Sequence, residues 1–218
     1  MIVTVEITGQ TALLMNSDHK MLEGDRGGTT PRAQTNSRTP REIAVDYEYR
    51  NGKGNLFAKG TWFEMAYREA ASYHKQKGTR KTMKTVASSA FNVVDEEIEL
   101  LEVDSDSPIT TYEIDTRCIV NGVTHGRQPH HRPRIERWRV VFDVRIDERL
   151  LDANDALNIL NESGYRCGVG SFRISHGGRF GRFAITGWEV QKDTSEAKIV
   201  IKTKVRRSMP GNGKRISA

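Results

Sequence analysis

The sequence predicts an α+β fold, a ferredoxin-like or RNA-recognition-type antiparallel sheet with helices on one face and long inserted loops, one of them a thumb-like hairpin. Three observations lead to it. Apolar residues alternate with polar ones in several short runs, the period of a half-buried strand. Two segments place apolar residues at three- and four-residue steps, the period of a helix. Their order is strand, helix, strands, then strand, helix, strand.

Residues 2–15 are rich in β-branched side chains and read as a first strand, bent at Gly9. Residues 16–40 turn polar, with glycines, prolines and many hydroxyls; a loop of that length within a compact domain is usually functional, or disordered until a partner arrives. Extended pieces follow at residues 43–49 and 56–58, joined by a hairpin signal from Asn51 to Gly54. Residues 61–77 form a helix with Trp62, Ala66, Ala70 and Tyr73 along one face. Thr61 can cap its start, with Glu64 three residues on, and Gly78 can stop it. A second helix over residues 81–90 has Arg80, Lys81 and Lys84 where positive charge opposes the helix dipole. Those cations suit either a solvated face or a polyanion.

Residues 98–103 and 110–120 read as strands, and Asn121 with Gly122 marks a turn. Residues 123–134 are basic and aperiodic; Pro129 and Pro133 forbid a regular helix and exclude a central strand, so the segment should project as a finger. A strand at residues 138–146 alternates Val140, Phe142, Val144 and Ile146 with polar neighbours, and a helix at residues 152–162 is ended by Gly164. A glycine-rich loop, strands at residues 183–190 and 197–205, and a basic tail complete the order. The expected organisation is one domain over residues 1–205, with insertions at 16–40 and 121–136 and a flexible tail at 206–218.

The 218 residues hold 34 Lys and Arg against 28 Asp and Glu, a net charge of +6, and the pI is near 9.4. The excess lies in arginine-rich segments, which makes a polyanion the natural partner. A membrane surface fits less well, because no segment has the length of a span and no helix has a basic face opposite a broad apolar one. No signal peptide is visible, so the expected location is the cytoplasm. Cys118 and Cys167 have no disulfide framework or zinc spacing around them and are expected as reduced core residues; no metal or other cofactor is called for.

Residues 164–183 concentrate glycine, arginine and phenylalanine more than any other stretch. Gly168, Gly170, Gly177 and Gly178 would let the main chain take positive φ and approach phosphates closely. Arg166, Arg173, Arg179 and Arg182 could neutralise those phosphates, and Phe172 and Phe180 could stack on unpaired bases. The same pattern also suits a tight hairpin whose aromatic rings plug the core beneath it. In the finger and the strand after it, Arg127, Arg132, Arg134, Arg137 and Arg139 suit phosphates, while His130 and His131 could stack on bases.

Three features resemble the RAMP superfamily, RNA-recognition-fold proteins that include backbone subunits of CRISPR effector complexes. They are the first strand with its glycine-bearing polar loop, the segment from Gly54 to Arg68, and the loop containing Gly168, Gly170 and the run from Gly177 to Phe183. Lys59, Gly60, Thr61 and Trp62 stand where the family often shows Pro-Gly-Ser-Ser, a departure from its pattern. The combination also resembles stand-alone relatives found in phage genomes. The resemblance implies sequence-independent binding of single-stranded RNA along a basic groove, with copies of the chain, or other effector-complex subunits, stacked along the strand and residues 123–134 as a thumb.

Some members of that family cut RNA. Here His125, His130, His131 and His176 lie in loops with no fixed geometry between them, and no motif surrounds Asp18, His19 or Asp25. The expected function is therefore non-catalytic binding of single-stranded RNA or DNA. The alternatives are a structural subunit of a phage virion or other assembly, and an endoribonuclease of the same family.

Overall fold

A computed structural model describes residues 1–18, 38–120 and 126–191. Its central unit is a four-stranded antiparallel sheet of β1 (Ile2–Gly9), β4 (Phe91–Val93), β8 (Arg139–Ile146) and β9 (Phe183–Gln191) in the order β4-β8-β1-β9. With α2 (Gly60–Ala70) and α3 (Lys84–Ala90) between β1 and β4, and α4 (Ala153–Glu162) between β8 and β9, the succession is the β-α-β-β-α-β of a ferredoxin-like unit. The fold is α+β, as the sequence predicts.

Alternation explains why the sheet holds its helices on one side. Val3, Val5 and Ile7 of β1 and Val140, Phe142, Val144 and Ile146 of β8 are all buried in one core. Phe63 of α2 meets Phe142 at 4.8 Å and Phe183 at 5.8 Å, and Tyr67 stacks on Phe91 at 3.7 Å. The opposite face carries a polar network instead: Thr4 donates to Asp143 at 2.8 Å, and Gln191 donates to both. Among the described residues, its strands place no aromatic side chain there on which a base could stack.

A second sheet joins a short strand that follows β1 to a hairpin inserted between β4 and β8. Its strands are β2 (Leu13–Leu14), β6 (Glu113–Val120) and β7 (Arg127–Ile135), in the order β2-β7-β6. A small pair, β3 (Phe57–Lys59) with β5 (Glu97–Glu99), lies beside α2.

Several elements differ from expectation for local reasons. Residues 2–15 are two strands in two sheets; at Gly9 the Trp138 ring comes so close that a Cβ would lie 2.3 Å from it, and the chain turns away. Residues 43–45 are helical and 46–47 a turn rather than a strand, since α1 (Pro40–Val45) runs through them from a capping box in which Thr39 and Glu42 satisfy each other's backbone. The helix expected at 61–77 begins one residue earlier, after Lys59 rather than a capping Thr61, and ends at Ala70 in a single 3-10 turn. Glu64 accepts the Val93 N–H at 2.9 Å instead of serving a cap, and the buried face is Phe63, Ala66, Tyr67 and Ala70, with Tyr73 exposed. Arg80 and Lys81 fall in the turn before α3.

Gly164 does not stop α4. It sits within a π turn, Ser163–Cys167, pressed so near β9 that a Cβ would lie 2.2 Å from the Phe183 carbonyl; the stop is Gly168, at φ 69°. Cys167 is buried and its thiol is pushed up to about 11 by desolvation, whereas Cys118 is exposed on β6 rather than in the core. The strand expected at 197–205, the tail at 206–218, and most of the loop at 16–40 lie outside the described residues.

Candidate nucleic-acid interface

The basic finger is a strand. β7 pairs with β6 from Arg127↔Val120 to Arg134↔Glu113, and at its base it lies between β6 and β2, so the exclusion of a central strand does not hold. Both prolines fit because of antiparallel geometry. The Pro133 carbonyl accepts the Met15 N–H at 3.1 Å, so the polar edge of that residue faces away from β6, and Pro129, four residues earlier, shares its side. Neither proline removes a bond from the β6–β7 ladder.

Register divides the finger's residues between two faces. Glu113, Asp115 and Arg117 stand opposite Arg134, Arg132 and His130 on one; Thr116, Cys118 and Val120 stand opposite His131, Pro129 and Arg127 on the other. His131 Nδ1 shares a 2.8 Å hydrogen bond with the Thr116 hydroxyl. Burial together with Arg132 and His131 lowers the pKa of His130 below the usual histidine range.

The glycine-rich loop packs against residues 10–15 and the first of those faces. Ser171 donates its N–H to the Leu14 carbonyl at 2.8 Å and Gly181 to Ala12 at 2.9 Å, while Val169 donates to Gly181 at 2.9 Å. A Cβ at Gly170 would lie 2.7 Å from the Leu14 oxygen, one at Gly178 1.7 Å from Phe172 O, and one at Gly181 1.8 Å from Val169 O. The glycines are thus required by close backbone approach within the protein. Gly177 differs: at φ 74° nothing lies within 4 Å of its Cβ position, beside the exposed Arg179. Phe180 and Phe183 are buried, in keeping with aromatics that plug the core.

Loop and hairpin meet in a ladder of guanidinium groups and phenyl rings. Arg117 lies 4.4 Å from the Phe180 ring and 5.7 Å from Phe172; Arg132 lies 4.7 Å from Phe172, and Arg134 6.0 Å from Phe180. Such contacts contribute about 0.5–2 kcal/mol each, more as water is excluded. Arg132 also donates to the Ser171 hydroxyl at 2.5 Å, and is only 9% exposed. Phe172 holds φ 50°, the left-handed region, to lay its ring there. Asp115 takes Arg117 at 2.5 Å and Glu136 pairs with Arg134. Among the described residues, three guanidiniums therefore share two carboxylates in these ion pairs, and burial lowers the pKa of Arg132.

The other expected cations scatter. Arg137 is 2.9 Å from Asp104, and Arg139 pairs with Asp106 and, at 3.4 Å, with Glu6. Arg166 pairs with Glu162 and lies over Tyr73; Arg173 reaches Ser175 at 3.1 Å and Glu69 at 3.9 Å. Arg182 lies 5.4 Å from the Tyr165 ring. Arg127 and Arg179 are exposed and have no ion-pair partner among the described residues.

Arg117 is the residue that sequence reasoning missed. Its alternation with Asp115 along β6 placed it on a face, but its rings come from residues more than fifty positions away. Among the described residues, no group of three or more His, Cys, Asp or Glu could hold a metal ion. Asp18 pairs with Lys59 at 3.6 Å, His176 contacts Arg173, and His19, Asp25 and His125 lie outside the described residues.

This geometry defines an α+β protein with a ferredoxin-like sheet and an inserted basic hairpin. A chain in the cryo-EM structure of the Type III-B Cmr-beta bound to cognate target RNA shares the fold, with a TM-score of 0.53 and 13% identity over 86% of this chain and 59% of that one. The present chain thus spans about three fifths of that chain's length. A Type IV-B CRISPR complex chain (TM-score 0.44, 12% identity, 98% and 96% covered) and Cmr6 from Pyrococcus furiosus (0.40, 11%, 85% and 98%) are also similar. No family model and no curated protein matches the sequence. Among the described residues, no helix is long and apolar enough to cross a membrane.

Proposed function

We propose that the chain binds single-stranded nucleic acid, RNA in preference to DNA, with little regard to sequence, where the β6–β7 hairpin meets the glycine-rich loop. The observation that supports this most is the surplus of positive charge in the ladder of Arg117, Arg132 and Arg134 on Phe172 and Phe180. A partly desolvated, incompletely neutralised guanidinium cluster favours an anion, and a phosphodiester strand supplies several in a row. His130 extends the surface along the hairpin, Arg127 and His131 line the hairpin's opposite face, and Arg179 and Arg182 are carried by the loop. The shared fold supports the same reading.

Side chains make the contacts in this reading, because most loop N–H groups are already bonded inside the protein. The chain acts without catalysis or cofactor, as one domain over residues 1–205, in the cytoplasm, assembling along the strand with copies of itself or with other subunits. The test is fluorescence anisotropy with labelled single strands at rising salt, alongside the 260 to 280 nm absorbance ratio of the purified protein. Affinity should fall steeply with salt. Binding that ignores salt, or no binding at all, refutes the proposal.

A further inference from the structure

A cavity of about 490 Å³ opens at the root of the hairpin, where β6 begins and β7 ends. Small-ligand sites typically enclose ~300–1,000 Å³. Tyr112, Ile109 and Ile135 supply apolar and aromatic wall, and Glu102, Glu113 and Glu136 supply carboxylates. Arg134 also lines the cavity, and its guanidinium stands 6.0 Å from the Phe180 ring, so one residue belongs to both cavity wall and ladder.

The carboxylates make phosphate a poor occupant. A metal ion fits no better, because Arg137 holds Asp104 at 2.9 Å, Arg134 holds Glu136, and no metal-holding group of three occurs among the described residues. Glu113 is exposed and has no ion-pair partner among the described residues; Glu102 accepts the Ser105 hydroxyl at 2.9 Å. The remaining chemistry is a flat apolar body whose edge bears N–H donors. An unstacked nucleobase has both.

We infer that this cavity takes one base of the bound strand and favours guanine. Guanine alone presents two adjacent donors, the ring N–H and the exocyclic amine, that a single carboxylate can accept as a fork; uracil offers one N–H and no amine. Glu113 is the register partner of Arg134, so the base enters at the end of the guanidinium strip that holds the phosphates. The inference rests on the strand-binding reading above and adds a local base preference to it.

Anisotropy with an all-uridine RNA strand and the same strand carrying one guanosine tests the pocket. The protein should bind the guanosine strand about tenfold more tightly, in line with one good bidentate base contact. Glu113→Gln, on an exposed strand end, keeps one acceptor but opposes the second guanine donor, and should bring the ratio close to one while the all-uridine affinity holds. Equal affinity for both strands in the parent, or a preference that survives in Glu113→Gln, overturns the pocket and leaves strand binding intact. Failure to bind either strand removes both readings together.

Discussion

Outside the ladder, an exposed arginine paired one-to-one with a carboxylate should contribute little to binding, and this separates Arg127 and Arg179 from Arg137 and Arg166. Arg137 is 2.9 Å from Asp104 and Arg166 is paired with Glu162, whereas Arg127 and Arg179 have no such partner among the described residues. Each phosphate contact on a single strand contributes about 0.7 to the slope of log affinity against log salt. Replacing Arg127 and Arg179 together by alanine should therefore reduce the slope by about 1.4, so that a fourfold rise in salt costs the variant about sevenfold less affinity than it costs the parent. Replacing Arg137 and Arg166 removes two exposed ion pairs, worth about 0–1 kcal/mol each to stability, and should leave the slope in place. The assay is anisotropy with an all-uridine strand over a salt series, with circular dichroism as the check on folding. Equal slope losses in the two double variants would refute the assignment of free and occupied cations.

The loop's glycines provide a second test. Gly181→Ala sets a Cβ 1.8 Å from the Val169 oxygen at φ 72° and should destabilise by at least ~2 kcal/mol in urea unfolding, whereas Gly177→Ala, in open space, should lose only about 1 kcal/mol. Thr39→Ala removes one half of the capping box on α1 and should cost about 1 kcal/mol in the same measurement. His130 binds its proton less readily in the folded chain than the ordinary value of 6.5 implies, so the unfolded chain carries more protons in the window just below 6.5. Stability should rise with pH across that window, and His130→Asn should flatten the rise seen in urea midpoints taken at successive pH values.

Much of the architecture was legible because strands and helices announce themselves locally. Val140, Phe142, Val144 and Ile146 alternate as a one-sided strand must, and all four are buried. The capping box of Thr39 and Glu42, with Pro40 at the first helical position, was equally local, yet the β-branched residues after it suggested an extended piece. Pro129 and Pro133 misled for a different reason: proline excludes a strand only where its missing N–H would have met a neighbour, and pairing geometry decides that.

For the candidate site, the sequence determined the inventory: excess arginine, a loop dense in glycine and phenylalanine, and a basic segment before β8. Tertiary structure decided which of those charges are spent. Arg132 meets Ser171 across 39 positions, Arg137 meets Asp104 across 33, and Arg117 finds its rings on a loop that only folding brings near. Periodicity reports a residue's face, because it depends on the backbone a few residues either side; the partner that neutralises a charge or covers a ring is set by chain folding over distances at which local pattern carries no information.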